Sequence, residues 1–311
     1  MEKIDVCFAC DENYAPYAGC VLLSLLDYHS KEELRVWFIS DNISQKTKLW
    51  IEKNFSGMDV SFRDIPQGFL TKVPIRNKHL SRAAYARLAL GSVLPKEVKR
   101  VIYLDCDILL LHSIRDLWNW DLKGKVVAGV EDWGIFLQRR EGDFYYPFST
   151  SYKSSGLLLI DVEKWRSKCC ENKCLDYLRN PQYPILYEDQ DVLNFALYSE
   201  FGELPPEWSV VLNFSKKEIE KRGAPASWIV ALKDPFIVHF ATANKPWLEF
   251  CSLPYKLEFQ KYMQILGLET EKLSFINKIR YVLYYWVSHP IFFLKPKFWR
   301  KRKTLGWGVF K

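Results

Sequence analysis

Two carboxylates, Asp105 and Asp107, interrupt an apolar run from Val101 to Leu111, VIYLDCDILLL. A run this rich in β-branched residues reads as a strand buried on both faces of a largely parallel sheet, where interior acids are costly. The pair therefore belongs at a strand end. In open α/β sheets the carboxyl ends of the strands form the ligand crevice. Residues i and i+2 of an extended chain face the same way, so the two carboxylates converge. A hard divalent cation that prefers oxygen ligands relieves their repulsion, and such an ion can hold a phosphate. The spacing is common, however, and two solvated or structurally paired acids are the plain alternative.

Four other groups of residues carry chemistry. His239 sits in an apolar strand, Phe236 to Phe240, with Lys245 six residues on. A lone strand histidine is more often structural, but beside an acid pair it becomes a third metal ligand and Lys245 a phosphate partner. Tyr187-Glu188-Asp189-Gln190-Asp191 sets three acids around a glutamine at an expected helix start. The helix dipole accounts for one or two of them. Asp11 and Asn13 follow the first strand and suit a base and ribose, with Tyr14 to stack. Asx residues there also cap helices. Arg87 fits a diphosphate or sugar hydroxyl, and equally a structural carboxylate pair.

The elements that must position these residues follow a clear rhythm. Ile4 to Ala9, Leu34 to Ile39 and Val60 to Ile65 read as strands, separated by helices over Ala15 to His29 and from the Ser44 cap to Phe55. This βαβαβ order predicts a Rossmann-like, mostly parallel central sheet flanked by helices. No glycine-rich loop follows the first strand, which excludes the dinucleotide fingerprint. A helix is expected from Ser81 to Leu90, a short one from Ser113 to Trp120, and strands over Lys125 to Val130 and Gly156 to Ile160. Asp161 caps a helix carrying Trp165 to Leu178. Between these, Trp133 to Tyr152 loses periodicity and gathers aromatics, which suits a substrate-covering loop better than a second domain.

The chain of 311 residues, 49% hydrophobic and 26% charged, is long enough for one large α/β domain with an appendage. No apolar stretch backs the charges of MEKIDVCFAC, and no segment has the length of a transmembrane helix, so a cytosolic location is expected. The eight cysteines lie in apolar runs or crowd one expected helix, and read as reduced thiols. Cys7 and Cys10 form a C-x-x-C without a second pair or nearby histidines, which argues against zinc or redox chemistry.

Six pieces in order, A-C-D-E-N-Y, S-R-A-A-Y-A-R-L, V-I-Y-L-D-C-D-I-L, S-S-G-L-L-L-I-D-V-E-K-W-R, E-D-Q-D-V-L-N and H-F-A-T-A-N-K-P-W, lie within a stretch from Ile4 to about Leu266. In this the chain resembles the retaining glycosyltransferases of family 8, which include bacterial lipooligosaccharide galactosyltransferases, lipopolysaccharide core transferases and glycogenin. The resemblance implies a GT-A type fold, with a catalytic domain over residues 1–271. It implies that Ala9, Asp11 and Asn13 meet uridine and that Arg87 contacts the donor. Asp105, Asp107 and His239 would bind manganese, with magnesium the second candidate, and Lys245 would lie on the diphosphate. Asp189 would contact the donor sugar, with Gln190 near the anomeric carbon. Ser154 stands where the family usually has Asn and bears on the sugar or acceptor selected, and Thr242 stands where it often has Gly.

A carboxamide is a poor nucleophile, so Gln190 suits stabilisation of a cation-like anomeric carbon while the acceptor hydroxyl attacks from the leaving-group face. The resemblance implies net retention. The expected activity is transfer of galactose or glucose from a UDP-hexose to a lipid-linked oligosaccharide, a lipopolysaccharide or lipooligosaccharide core or another surface glycan. Two alternatives are a non-catalytic membrane-bound module that binds sugar nucleotides and a metal-dependent nucleotidyltransferase, which would release pyrophosphate.

Lys272 to Lys311 carries ten Lys and Arg and no acid, so of the net +7 the first 271 residues hold −3. The basic residues of this tail are interleaved with Tyr281, Tyr284, Tyr285, Trp286, Phe292, Phe293, Phe298, Trp299 and Trp307. That composition suits an interfacial anchor on an anionic membrane, against a packed basic helix or a nucleic-acid tail. The enzyme is then peripheral, on the inner face of the plasma membrane, and binds no nucleic acid. Deleting the residues after Lys272 is expected to release the protein from anionic vesicles in a sedimentation assay. Continued pelleting of the truncated form would refute the anchor.

Overall fold

The computed structural model describes residues 2–66, 68–69, 82–212 and 216–272. The chain divides into two units, at Ala241 and Thr242. In the first, seven strands form the main sheet in the order β3-β2-β1-β4-β7-β6-β8. They are β1 (Ile4–Asp11), β2 (Leu34–Asp41), β3 (Asp59–Asp64), β4 (Arg100–Leu104), β6 (Val127–Val130), β7 (Leu157–Asp161) and β8 (Phe201–Leu204). A smaller sheet, in the order β5-β10-β9, holds β5 (Ile108–Leu110), β9 (Val210–Val211) and β10 (Ile237–His239).

The central strands are mostly apolar because both faces are covered. Ile4, Val6, Cys7 and Phe8 of β1 are fully buried, and β1 pairs in parallel with β2 and β4. The one reversed member is β7, antiparallel to both β4 and β6. The sheet is thus mostly parallel, as the rhythm of the sequence predicts. Ser44 starts its helix as expected, its Oγ accepting from the Thr47 N–H at 3.2 Å ahead of Gln45–Asn54.

Several elements differ from expectation. The run from Val101 to Leu111 is two strands, not one: β4 stops at Leu104 in the main sheet and β5 starts at Ile108 in the smaller one. Both acids lie in the gap. Arg82–Ala89 is a 3₁₀ helix, continued as α only over Leu90–Val93. Its buried Ala83, Ala86 and Ala89 recur every third residue, the period of that tighter helix. Half of the expected loop from Trp133 to Tyr152 is helix, Trp133–Glu141. Asp132 caps it through the Ile135 N–H at 3.0 Å, and Gly142, at φ 83°, ends it in the left-handed region. Past Asp161 the helix breaks at Cys169, φ 54°, into Val162–Ser167 and Cys170–Arg179.

All eight cysteines are free thiols, and Cys169 alone is exposed. The second unit is described as far as Lys272. It contains a Leu248–Glu271 bridge and the helix Lys256–Ile265, which buries Phe259 and Met263. The expected membrane tail lies outside the described residues. Among those described, no helix is long and apolar enough to cross a membrane.

One side chain fixes the turn that feeds β4. The Arg166 guanidinium donates to the carbonyls of Gly91 (2.8 Å), Leu94 (2.8 Å), Pro95 (2.9 Å) and Val98 (3.1 Å). The Gly91 and Leu94 carbonyls lie at the end of the Leu90–Val93 helix, where intrahelical donors run out, and those of Pro95 and Val98 belong to the turn that follows. A lysine has one donor head and cannot fork across them. Arg166→Lys is therefore expected to lower unfolding free energy by about 2 kcal/mol in urea titration. A loss below about 0.5 kcal/mol would show that water replaces the fork.

Candidate active site

The carboxyl ends of β1, β4 and β6 lie at one edge of the main sheet, together with the amino end of the reversed β7. This edge gathers residues that are far apart in sequence: Asp11 from β1, Asp105 beyond β4, Asp132 beyond β6, and Ser154 to Gly156 leading into β7. The Asp105 N–H donates to the Gly156 carbonyl at 2.8 Å, locking the acid turn onto the start of β7. The smaller sheet then delivers the histidine. His239 is in register with Ile108, and the Phe240 N–H donates to the Asp107 carbonyl at 2.9 Å.

His239 Nε2 lies 3.2 Å from Asp107 Oδ1 and 3.7 Å from Asp105 Oδ2. One ligand atom from each of the three residues falls within 4.8 Å of the others. Two carboxylate oxygens and an imidazole nitrogen, largely out of water, fit a divalent cation; the nitrogen favours a first-row transition ion over calcium. The Asp105 carboxylate is oriented by a division of labour. Its Oδ1 accepts from Tyr103 Oη (2.8 Å) and Arg87 Nη2 (2.9 Å), which turns Oδ2 toward the histidine.

Arg87 is buried, stacked on the Tyr103 ring with 4.5 Å to the centroid. Its Nε donates to the Ala84 carbonyl at 2.9 Å and lies 3.1 Å from Asp189 Oδ2, while Nη1 donates to the Ser155 carbonyl. Burial alone would lower the guanidinium pKa, but Asp105 and Asp189 raise it. The Asp189 pKa is raised as well, which for an acid disfavours the charged form. Burial pushes its carboxyl up to about 6, Arg87 opposes that shift, and Asp105 adds to it. Arg87 with its two carboxylates ties the 3₁₀ helix, the acid turn and the helix Glu188–Ala196 together.

Gln190 is fixed at both ends of its amide. Oε1 accepts from the Ser155 N–H at 3.0 Å, and Nε2 donates to Asp132 Oδ2 at 3.0 Å. Asp132 thus caps one helix with one oxygen and holds Gln190 with the other; sequence reasoning did not single it out. Its position just past a strand, at the same sheet edge as Asp105, was the available signal. Asp191, fully buried, accepts from Tyr152 Oη (2.6 Å) and from the N–H groups of Leu186 (2.5 Å) and Tyr187 (2.7 Å). Glu188 accepts from Tyr85 Oη. Of the acids around Gln190, Asp191 holds backbone N–H groups, Glu188 holds the Tyr85 hydroxyl and Asp189 pairs with Arg87.

The remaining predicted residues are placed as follows. Ala9 is buried in β1, and Asn13 is exposed. Asp11 Oδ1 accepts from the N–H groups of Asn13 (3.0 Å) and Tyr14 (3.1 Å), the turn role that its position allowed. Tyr14 has its phenol pKa raised by burial and then by the charge of Asp107, so its ring lies within electrostatic reach of the acid pair. Ser154 is buried at the start of β7, its N–H donating to the Val130 carbonyl at 2.8 Å. Lys245 belongs to the second unit, where its N–H donates to the Ala243 carbonyl at 3.1 Å.

Gly156 explains how the imidazole fits. A Cβ there would stand 2.2 Å from His239 Cε1 and 2.7 Å from Nδ1. The ring occupies the space that any side chain would need. Gly156→Ala is expected to displace His239 and to weaken divalent-cation binding, titrated by calorimetry with manganese as the probe, at least tenfold, while the circular dichroism spectrum is kept. Wild-type affinity in that variant would show that His239 is not a ligand.

A family model described as Glycosyl transferase family 8 matches residues 5–251. General stress protein A of Bacillus subtilis (strain 168) is 29% identical over 272 residues, covering 84% of this chain and 93% of its own length. The lipopolysaccharide 1,2-glucosyltransferase of Escherichia coli (strain K12) is 25% identical over 258 residues, covering 81% of this chain and 75% of its own. Among solved structures, the galactosyltransferase LgtC in complex with donor and acceptor sugar analogs has a TM-score of 0.72 at 23% identity, over 84% of this chain and 95% of that one. That likeness shows a shared GT-A-like α/β fold. With the family model spanning most of its length, the chain belongs to glycosyl transferase family 8 and is a glycosyltransferase.

Proposed function

We propose that the protein transfers galactose or glucose, with retention, from a UDP-hexose to a saccharide acceptor on a lipid-linked oligosaccharide. The observation that carries this reading is the convergence of Asp105, Asp107 and His239 beside a Gln190 whose amide is held at both ends. Asp105, Asp107 and His239 would hold a manganese ion, which when bound supplies positive charge to the departing diphosphate. Lys245 adds a cation for the same oxygens, and Ala9, Asp11 and Asn13 receive the uridine.

The chain's own groups do the positioning. Arg87 keeps the Asp105 and Asp189 carboxylates apart and oriented, and Asp189 thereby faces the donor sugar. Ser155 and Asp132 leave the Gln190 carboxamide no freedom to rotate, so its oxygen dipole is aimed before the reaction begins. Preorganised dipoles of this kind lower the barrier because nothing must reorient as charge develops at the anomeric carbon. The acceptor hydroxyl then attacks from the face that the diphosphate leaves. Ser154, shorter than Asn, shapes the sugar pocket.

The name of the Escherichia coli relative supports a glycolipid acceptor, and the basic aromatic tail supports a membrane surface as the place of work. The catalytic region is taken as residues 1–271, with the tail from 272 as the anchor.

The test is release of UDP from a panel of nucleotide sugars with manganese, with and without a bacterial glycolipid extract. Selective release from one UDP-hexose, increased by the extract and reduced at least a hundredfold in Asp107→Asn, is the expected result. Full transfer by Asp107→Asn would remove the metal from the mechanism. Nucleotide binding without release would identify a binding module instead.

A further inference from the structure

Next to the site lies a layer of aromatic side chains that the chemistry above does not use. Its core is Phe144, Tyr146, Tyr152 and Phe195, and it ends at a surface where Tyr145 is 69% exposed, Leu186 61% and Tyr187 38%. Exposed apolar groups gathered in one place mark a contact surface more often than chance. These are also held firmly. The Tyr145 and Tyr183 rings lie 5.6 Å apart at 52°, and Tyr183 stacks on buried Phe195 at 5.2 Å and 26°. The Tyr183 backbone is clasped by Tyr177, whose Oη donates to its carbonyl (3.2 Å) and faces its N–H (3.3 Å). Tyr187 sets its ring against Phe144 at 5.7 Å, and its Oη donates to Gln138 Oε1 at 2.8 Å.

This surface is rigidly linked to the reacting centre. The N–H groups of Leu186 and Tyr187 both donate to Asp191, whose other oxygen accepts from Tyr152. Asp191 is the immediate neighbour of Gln190. Tyr183 packs on Phe195 of the same helix that carries Gln190, so a ligand resting on Tyr145 and Tyr183 would be held in register with the carboxamide.

We propose that Tyr145 and Tyr183 form a distal acceptor subsite, which stacks on pyranose rings of the acceptor glycan beyond the one that receives the transferred sugar. The inference rests on the saccharide-acceptor reading above. A pyranose presents an apolar C–H face and a polar rim, and a tyrosine matches it with a flat ring and a hydroxyl at the edge. An anionic membrane is a poorer fit. Residues 143–152 and 180–191 contain no Lys or Arg, and Asp143 is their one exposed charged side chain, since Glu188, Asp189 and Asp191 are buried. These segments offer no cation to anionic headgroups. The acceptor class is accordingly an oligosaccharide of several hexoses, not a free monosaccharide or a protein hydroxyl.

The experiment compares kcat/KM for two acceptors on the full-length protein. One is the lipid-free oligosaccharide released by mild acid from a bacterial glycolipid; the other is the methyl glycoside of its terminal sugar. The wild type is expected to prefer the oligosaccharide at least tenfold. Tyr145→Ala and Tyr183→Ala should each cut that preference at least fivefold through KM, and Tyr145→Trp should restore it. An unchanged preference in both alanine variants overturns the subsite. So does loss of vesicle binding in Tyr145→Ala, which would assign the patch to the membrane. If the wild type transfers to neither acceptor, the inference falls with the reading it rests on, and the failure shows as absent transfer instead of an unchanged ratio.

Discussion

A guanidinium taken out of water needs more than one carboxylate around it, and Arg87 obtains two from opposite sides of the site. The cost of desolvating an ion is several kcal/mol unless its partners are well placed. Here they come from the acid turn after β4 and from the first turn of the helix Glu188–Ala196, with the Ser155 and Ala84 carbonyls completing the shell. No one of these segments can shift without leaving a buried charge exposed to its own field. The arrangement also decides which oxygen of Asp105 is presented to a metal. Tyr103 and Arg87 take Oδ1, so Oδ2 alone remains to face His239. The buried ion network thus acts chiefly by setting geometry, and its net stabilisation is secondary.

The reversal of β7 is the second constraint. A strand parallel to β4 would bring its carboxyl end to this edge, where helices begin. An antiparallel strand brings its amino end, and with it the backbone of Ser154, Ser155 and Gly156. Backbone groups are what the site uses. The Gly156 carbonyl accepts from Asp105, the Ser155 carbonyl from Arg87, and the Ser155 N–H donates to Gln190. Small residues in this stretch follow from that use, since the imidazole of His239 packs against the backbone where a β-carbon would stand.

Much of this was legible in the residues. The acid pair had to lie at a strand end because a two-sided sheet excludes it, and it does; the parallel rhythm of the first three strands follows from apolar runs bounded by caps such as Ser44. What the sequence concealed depended on contacts distant along the chain. Nothing in VIYLDCDILLL shows that its halves enter different sheets, because each half is apolar enough for either. The pairing of β5 with β10, which sets His239 against Asp107, is a tertiary event. The helix Trp133–Glu141 was missed although Asp132 and Gly142 are sound cap residues, because its apolar face packs within the aromatic layer and leaves no clean period. Asp132 itself was passed over as a strand-end acid, and only its bond to Gln190 shows what it orients. The roles of Glu188 and Asp191 were similarly hidden, since a first-turn acid bound to a helix dipole and one clasping backbone N–H groups are identical as letters.

The glutamine is the point at which these constraints meet. A carboxylate at position 190 would face Asp132 at hydrogen-bond distance, and two anions there would drive one pKa up or push the side chains apart. A carboxamide removes the conflict, because it can donate to Asp132 through Nε2 while its oxygen still accepts from Ser155. The same amide therefore needs an acid on one side and a backbone N–H on the other, and the fold supplies them from β6 and β7, neighbours only because β7 is reversed. Chemistry at this residue favours an oriented dipole over a nucleophile: its nitrogen is committed, its oxygen is half committed, and it has no proton to lose at neutral pH. The sheet order that looks irregular beside an all-parallel fold is the arrangement that lets a neutral side chain be aimed.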